Sequence, residues 1–136
     1  MTPLEARKNW SNALRSNRFK QGFGALEYID DKGNVSNCCL GVLCRLYIED
    51  GGELSVEKSK HTTLFDLNAA MLPEKVANYI GIHSAMGRLK GNAGYLTVLN
   101  DSGVGFETIA DIIDNDKLDT EDQDKCNEQK TPESNS

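Results

Sequence analysis

Apolar residues almost cease after Ile113 in this 136-residue chain. From Asn115 to Ser136 only Leu118 and Cys126 are appreciably apolar. A segment so poor in apolar side chains cannot bury enough surface to offset the entropy of ordering it. The sequence therefore predicts one folded domain over residues 1–114 and a disordered acidic tail over 115–136. On that reading, truncation after Asn115 leaves thermal stability nearly unchanged. A domain of this size sustains one hydrophobic core without disulfides or metal.

Charge is as uneven as hydropathy. The net charge is -6, yet the first 22 residues carry Arg7, Lys8, Arg15, Arg18 and Lys20 against Glu5 alone. Acids dominate after residue 110. A basic front and an acidic rear point to an anion-binding end and a solvated tail. There is no 18-residue apolar run to span a membrane. Met1 to Lys20 lacks the apolar centre of a signal peptide, so a cytoplasmic location is expected. Cys38, Cys39, Cys44 and Cys126 are too few and too clustered for a disulfide scaffold.

Spacing outlines the elements. Thr2, Pro3 and Glu5 form a capping box with a first-turn proline, and Ala6, Trp10, Ala13 and Leu14 share one face of the helix that follows. That helix should end near Ser16-Asn17. Residues 25–30 and 35–40 read as a hairpin about an Asp31-Lys32-Gly33-Asn34 turn. A helix over about 40–50 presents Cys39, Leu43, Leu46 and Tyr47, and Gly51-Gly52 stops it. ELSVE and TLFDL are short and strand-like. Pro73 opens a helix bearing Val76, Ala77 and Ile80, closed by Gly81. His83 to Gly94 reads as an irregular loop, Tyr95 to Leu99 as a short helix, and Asn100 to Gly103 as a loop. Phe106, Ile109, Ala110 and Ile113 give the clearest helical period in the chain. The expected fold is α+β: a small antiparallel sheet, with a hairpin at about 25–40, packed with four or five helices.

Three constellations could carry chemistry. Arg15 to Gly24 brings Arg15, Arg18, Phe19, Lys20 and Gln21 together beside two glycines. Guanidinium groups grip phosphate in bidentate fashion, aromatics stack on bases, and bare backbone amides approach anions closely. The segment matches neither a P-loop nor a dinucleotide fingerprint. The opposing reading is a solvated helix end with Phe19 and Phe23 packed in the core. Second, Cys38-Cys39-Leu-Gly-Val-Leu-Cys44 offers thiols, but no paired Cys-x2-Cys or His-x3–5-His follows, and free cysteine is usually buried. Third, Leu99-Asn100-Asp101-Ser102-Gly103 followed by the Phe106–Ile113 helix resembles part of a DNA-binding helix-turn-helix, a helix-loop-helix over 95–114. It is acidic where a DNA-recognition helix is basic, and Asp101 or Ser102 would suit a helix cap. The candidate ligand-binding set is Arg15, Arg18, Phe19, Lys20, Gln21, Asn100 and Asp101, with no catalytic residue, metal or cofactor expected.

ALRSNRFKQGFGAL, CCLGVLCRLY, LPEKVANYIGI and LNDSGVGFETIADII together resemble a group of small accessory proteins of tailed bacteriophages, over positions 13–25, 38–44, 72–76 and 99–110. The resemblance implies a phage gene product working in the host bacterial cytoplasm, and it brings no catalytic assignment. The long acidic tail after Ile113 departs from the group. The expected function is a non-enzymatic binding protein that interferes with a host process such as antiviral defence. It would sequester an anionic or nucleotide ligand, or occupy a host protein. The alternatives are a nucleic-acid-associated regulator using residues 95–114 and a thiol-dependent enzyme. No membrane partner is expected.

Overall fold

The computed structural model describes residues 1–120. The helix α1 (Pro3–Arg15) is opened by Thr2, whose hydroxyl accepts from the Glu5 amide while the Glu5 carboxylate accepts from the Thr2 amide. It stops where Ser16 caps it and Asn17 takes a left-handed conformation, φ 62°. The hairpin strands are β1 (Glu27–Ile29) and β2 (Val35–Asn37). They are shorter than the sequence suggests, because Cys38 already serves as the N-cap of α2 (Cys39–Glu49). A second hairpin, β3 (Val56–Ser59) and β4 (Thr62–Phe65), joins the first through β4. The resulting antiparallel sheet has the order β2-β1-β4-β3. The helices α3 (Glu74–Tyr79), α4 (Leu96–Asp101) and α5 (Phe106–Asp114) complete the domain. The expected α+β fold, one small antiparallel sheet packed with five helices, is the observed one.

The apolar faces read from spacing meet in one core. Ala6, Trp10 and Leu14 of α1 are buried, as are Ile109, Ala110 and Ile113 of α5, and these two helices pack most extensively on one another. The Trp10 indole N–H donates to the Cys39 carbonyl at 2.9 Å. Cys38, Cys39 and Cys44 are free and buried, so they pack as small apolar groups. Helix α2 lies directly on the start of β1. A Cβ placed on Gly41 would sit 1.7 Å from the Leu26 carbonyl oxygen, so glycine alone allows this approach.

A buried polar cluster fixes the sheet to that helix. Glu27 is only 3% exposed. Its carboxylate accepts from Arg45 in bidentate fashion at 2.8 and 2.6 Å, from Thr63 Oγ1 at 2.7 Å and from Asn37 Nδ2 at 3.0 Å. One side chain thereby joins β1, β2, β4 and α2. Burial pushes the carboxyl pKa up, but the hydrogen bonds from Arg45, Thr63 and Asn37 outweigh it and bring it down to about 2.

Two expectations need correction. Asn100 and Asp101 belong to the last turn of α4 rather than to a loop, because tertiary partners satisfy their side chains. The folded region also extends past residue 114. Leu118 is 1% exposed and belongs to the core. Its strand-like backbone pairs with Leu89; the Lys90 amide donates to the Lys117 carbonyl and the Asp119 amide to the Arg88 carbonyl, each at 2.9 Å. Arg88 and Asp119 form an ion pair beside it. Buried Leu118, these backbone bonds and the ion pairs of Arg88 with Asp119 and Lys90 with Asp116 dock residues 115–120 despite their polar composition. The remainder of the expected tail, 121–136, lies outside the described residues.

Candidate functional site

The residues expected to bind an anion go to different places. Arg15 faces α5, donating to Asp114 and Asp111, each at 2.6 Å. Arg18 pairs with Glu49 of α2, and its guanidinium carbon lies 4.8 Å above the Phe19 ring centroid. Helix α1 has ended between them, so three-residue spacing no longer puts them on one side. Phe19 is partly buried against the core, and Phe23 is exposed. Lys20 is exposed, and its carbonyl accepts from the Asn37 amide at 2.8 Å.

Gln21, Asn100 and Asp101 do converge, as a hydrogen-bonded clasp. Asn100 is fully buried. Its Oδ1 accepts from Gln21 Nε2 at 3.0 Å and from the Cys39 amide at 3.2 Å. Its Nδ2 donates to the Gly22 carbonyl at 2.8 Å and to Asp101 Oδ1 at 3.2 Å. Gln21 Nε2 also donates to the Val104 carbonyl. The orphan amide at the start of α2, which Cys38 does not cap, is thus satisfied from α4. The clasp holds the 20–24 loop, α2 and α4 together.

Beside this clasp opens an apolar groove of about 470 Å³, within the size range of ligand pockets. Met71, Met86 and Val98 are among its walls, the Cys38 side borders it, and Thr97, Asp101 and Ser102 line it from α4 and its C-cap. Met71 is 50% exposed and Val98 55%, so apolar surface is offered to solvent at the opening. Asp101 Oδ1 also accepts from the Gly24 amide at 2.9 Å, which fixes one carboxylate oxygen against the loop. Burial pushes the Cys38 thiol up from its usual range, and the nearby Asp101 charge adds to the effect. No histidine lines the groove among the described residues. Cys38 is therefore an apolar surface element here, without the activation a nucleophilic thiol needs.

Met71, Met86, Thr97 and Val98 were not among the residues singled out in the sequence. The only signal is the context of the methionines, Ala69-Ala70-Met71 and Ala85-Met86-Gly87, where small neighbours leave a large flexible side chain without local packing partners. Among the described residues no group of three or more His, Cys, Asp or Glu side chains is arranged to hold a metal, and no helix is long and apolar enough to cross a membrane.

The family model described as a domain of unknown function, DUF8296, matches residues 3–117. The chain belongs to that family. The DUF8296 match takes in the clasp, the groove and part of the segment beyond Ile113 that docks through Leu118. No curated protein matches the chain, and no solved structure does.

Proposed function

We propose that this DUF8296 chain is a phage-encoded, non-enzymatic binding protein. It acts in the host bacterial cytoplasm by occupying a host protein, and so interferes with a host process such as antiviral defence. The observation that carries the reading is the methionine-walled groove beside the Asn100 clasp. Methionine adapts its three rotatable bonds to varied apolar partners. The clasp fixes the 20–24 loop and α4 on one side of the groove, and the Leu72 amide, donating to the Ala85 carbonyl at 2.8 Å, ties the two methionine segments together, which favours a preorganised surface. Capture of a free nucleotide has less support, since Arg15 and Arg18 are engaged by carboxylates on two different elements. The nucleic-acid alternative meets an acidic surface, because α5 exposes Glu107 and Asp111, and phosphate is repelled there.

The test is parallel capture from bacterial lysate by wild type and by Met71→Asp with Val98→Asp. Circular dichroism controls for the fold. A host protein enriched by wild type and lost with the double variant supports occupancy through the groove. The same protein retained by a folded double variant overturns it.

A further inference from the structure

Two polar residues of α4, Thr97 and Asp101, are part of the groove lining. Thr97 and Asp101 are four residues apart on α4 and so share a face of the helix. Thr97 Oγ1 is buried without a hydrogen-bond partner, a costly state for a hydroxyl. Asp101 directs Oδ1 to the Gly24 amide and the Asn100 side chain. Its second oxygen, Oδ2, has no hydrogen bond or ion pair among the described residues. The rest of the lining is chiefly apolar, with Met71, Met86 and Val98 prominent. An exposed carboxylate oxygen bordering an apolar trough fits a ligand with an apolar stem and a cationic head.

We propose that the groove receives a lysine or arginine side chain from a basic segment of a partner polypeptide. The methylene stem lies on Met71, Met86 and Val98, and the head meets Asp101 Oδ2. Long basic side chains cover apolar surface with their stems while the charged head stays near water. Asp101 is exposed, so pairing there does not require full desolvation of either charge. The net charge of -6 favours the approach of a cationic segment. This inference rests on the groove being the partner site.

The probes are the N-acetyl, N-methylamide derivatives of lysine, norleucine and 2-aminoadipate. They share a straight stem and carry a cationic, an apolar and an anionic end. Each is titrated into the 15N-labelled full chain, following the amide resonances of Cys38, Thr97, Val98 and Asp101. Lysine should bind about two- to fivefold more tightly than norleucine, the size expected of an exposed ion pair, and 2-aminoadipate most weakly. Asp101→Asn keeps the Oδ1 acceptor and should abolish the preference for lysine over norleucine. Equal binding of lysine and norleucine by wild type overturns this inference and leaves the apolar groove standing as a partner site. Absence of shifts at these four amides with all three probes also overturns this inference, while the partner reading stands or falls on the capture experiment.

Discussion

At the scale of single residues, the controlling positions are those where one atom decides whether two elements can meet. Gly41 is one. In an isolated helix, Gly41→Ala would gain about 1 kcal/mol from helix propensity. Here the added Cβ meets the Leu26 carbonyl, and α2 must move off β1. We expect a net loss of about 3 kcal/mol from overpacking, measured by urea denaturation; a stabilised variant would show that α2 does not sit against Leu26. Asn100 is the second. Asn100→Ala leaves the Cys39 amide and the Gly22 carbonyl without their side-chain partner. At about 1–3 kcal/mol for each buried group left unsatisfied, the variant should lose at least about 2 kcal/mol. Hydrogen exchange should rise first at the amides of 20–24 and at the start of α2. Exchange that rises uniformly would argue against a local clasp.

At the scale of elements, the sheet and α2 share one carboxylate. The folded-state pKa of Glu27 is about 2, below its ordinary value near 4.5. A depressed carboxyl pKa contributes stability that is fully present above about pH 4.5 and disappears as pH falls towards 2. Wild type should therefore be more stable than Glu27→Gln at pH 7, with the difference shrinking across that window. Urea denaturation at pH 7, 3.5 and 2 checks this. A constant difference would mean that the charge of Glu27 is not what binds the four elements. Arg15 has an analogous but more exposed role between α1 and α5, shared with Lys8 and Ser11 through Asp114. These contacts set the register of two helices whose apolar faces already match, and the groove lies away from them.

At the scale of the whole molecule, the domain ends later than its composition suggests. Comparing a chain ending at Thr120 with one ending at Asn115 isolates the docking strand. Removing buried Leu118 should cost about 2–5 kcal/mol, as for other buried leucines, and lower the melting temperature by several degrees. Leu118→Ala in the full chain should reproduce most of that loss. Equal melting temperatures for the two truncations would mean that Leu118 contributes little to the core. The whole-molecule charge has a separate consequence. If a cationic segment of the partner is drawn to an acidic surface, association should slow as salt rises, since screening shortens the reach of the field. Stopped-flow association rates with the captured host protein at 50 and 300 mM salt would measure this; a salt-independent rate would remove charge from the encounter.

The sequence by itself determined the elements and the faces they bury. Thr2-Pro3-Glu5, the turn at 31–34, the glycines at 51 and 81, and the Phe106–Ile113 period are local signals, and each acts over a few residues in the folded chain. Tertiary structure decided the fate of the polar residues. Arg15 and Arg18 are neighbours in sequence, but α1 ends at Arg15 and the two cations turn to carboxylates 96 and 31 residues away. Asn100 looked like loop chemistry, yet its partners include Gln21, 79 residues away, and Cys39, 61 residues away. Leu118 stood alone in a polar stretch, and backbone bonds between Lys117 and Lys90 and between Asp119 and Arg88, beside Leu89, gave it a place. The groove was invisible for the same reason. Its walls come from the loops around Gly24, Met71 and Met86 and from α4, and no spacing rule links segments that meet only after the chain has folded. Periodicity records which side of an element is buried, whereas long-range pairing of side chains depends on how the elements pack.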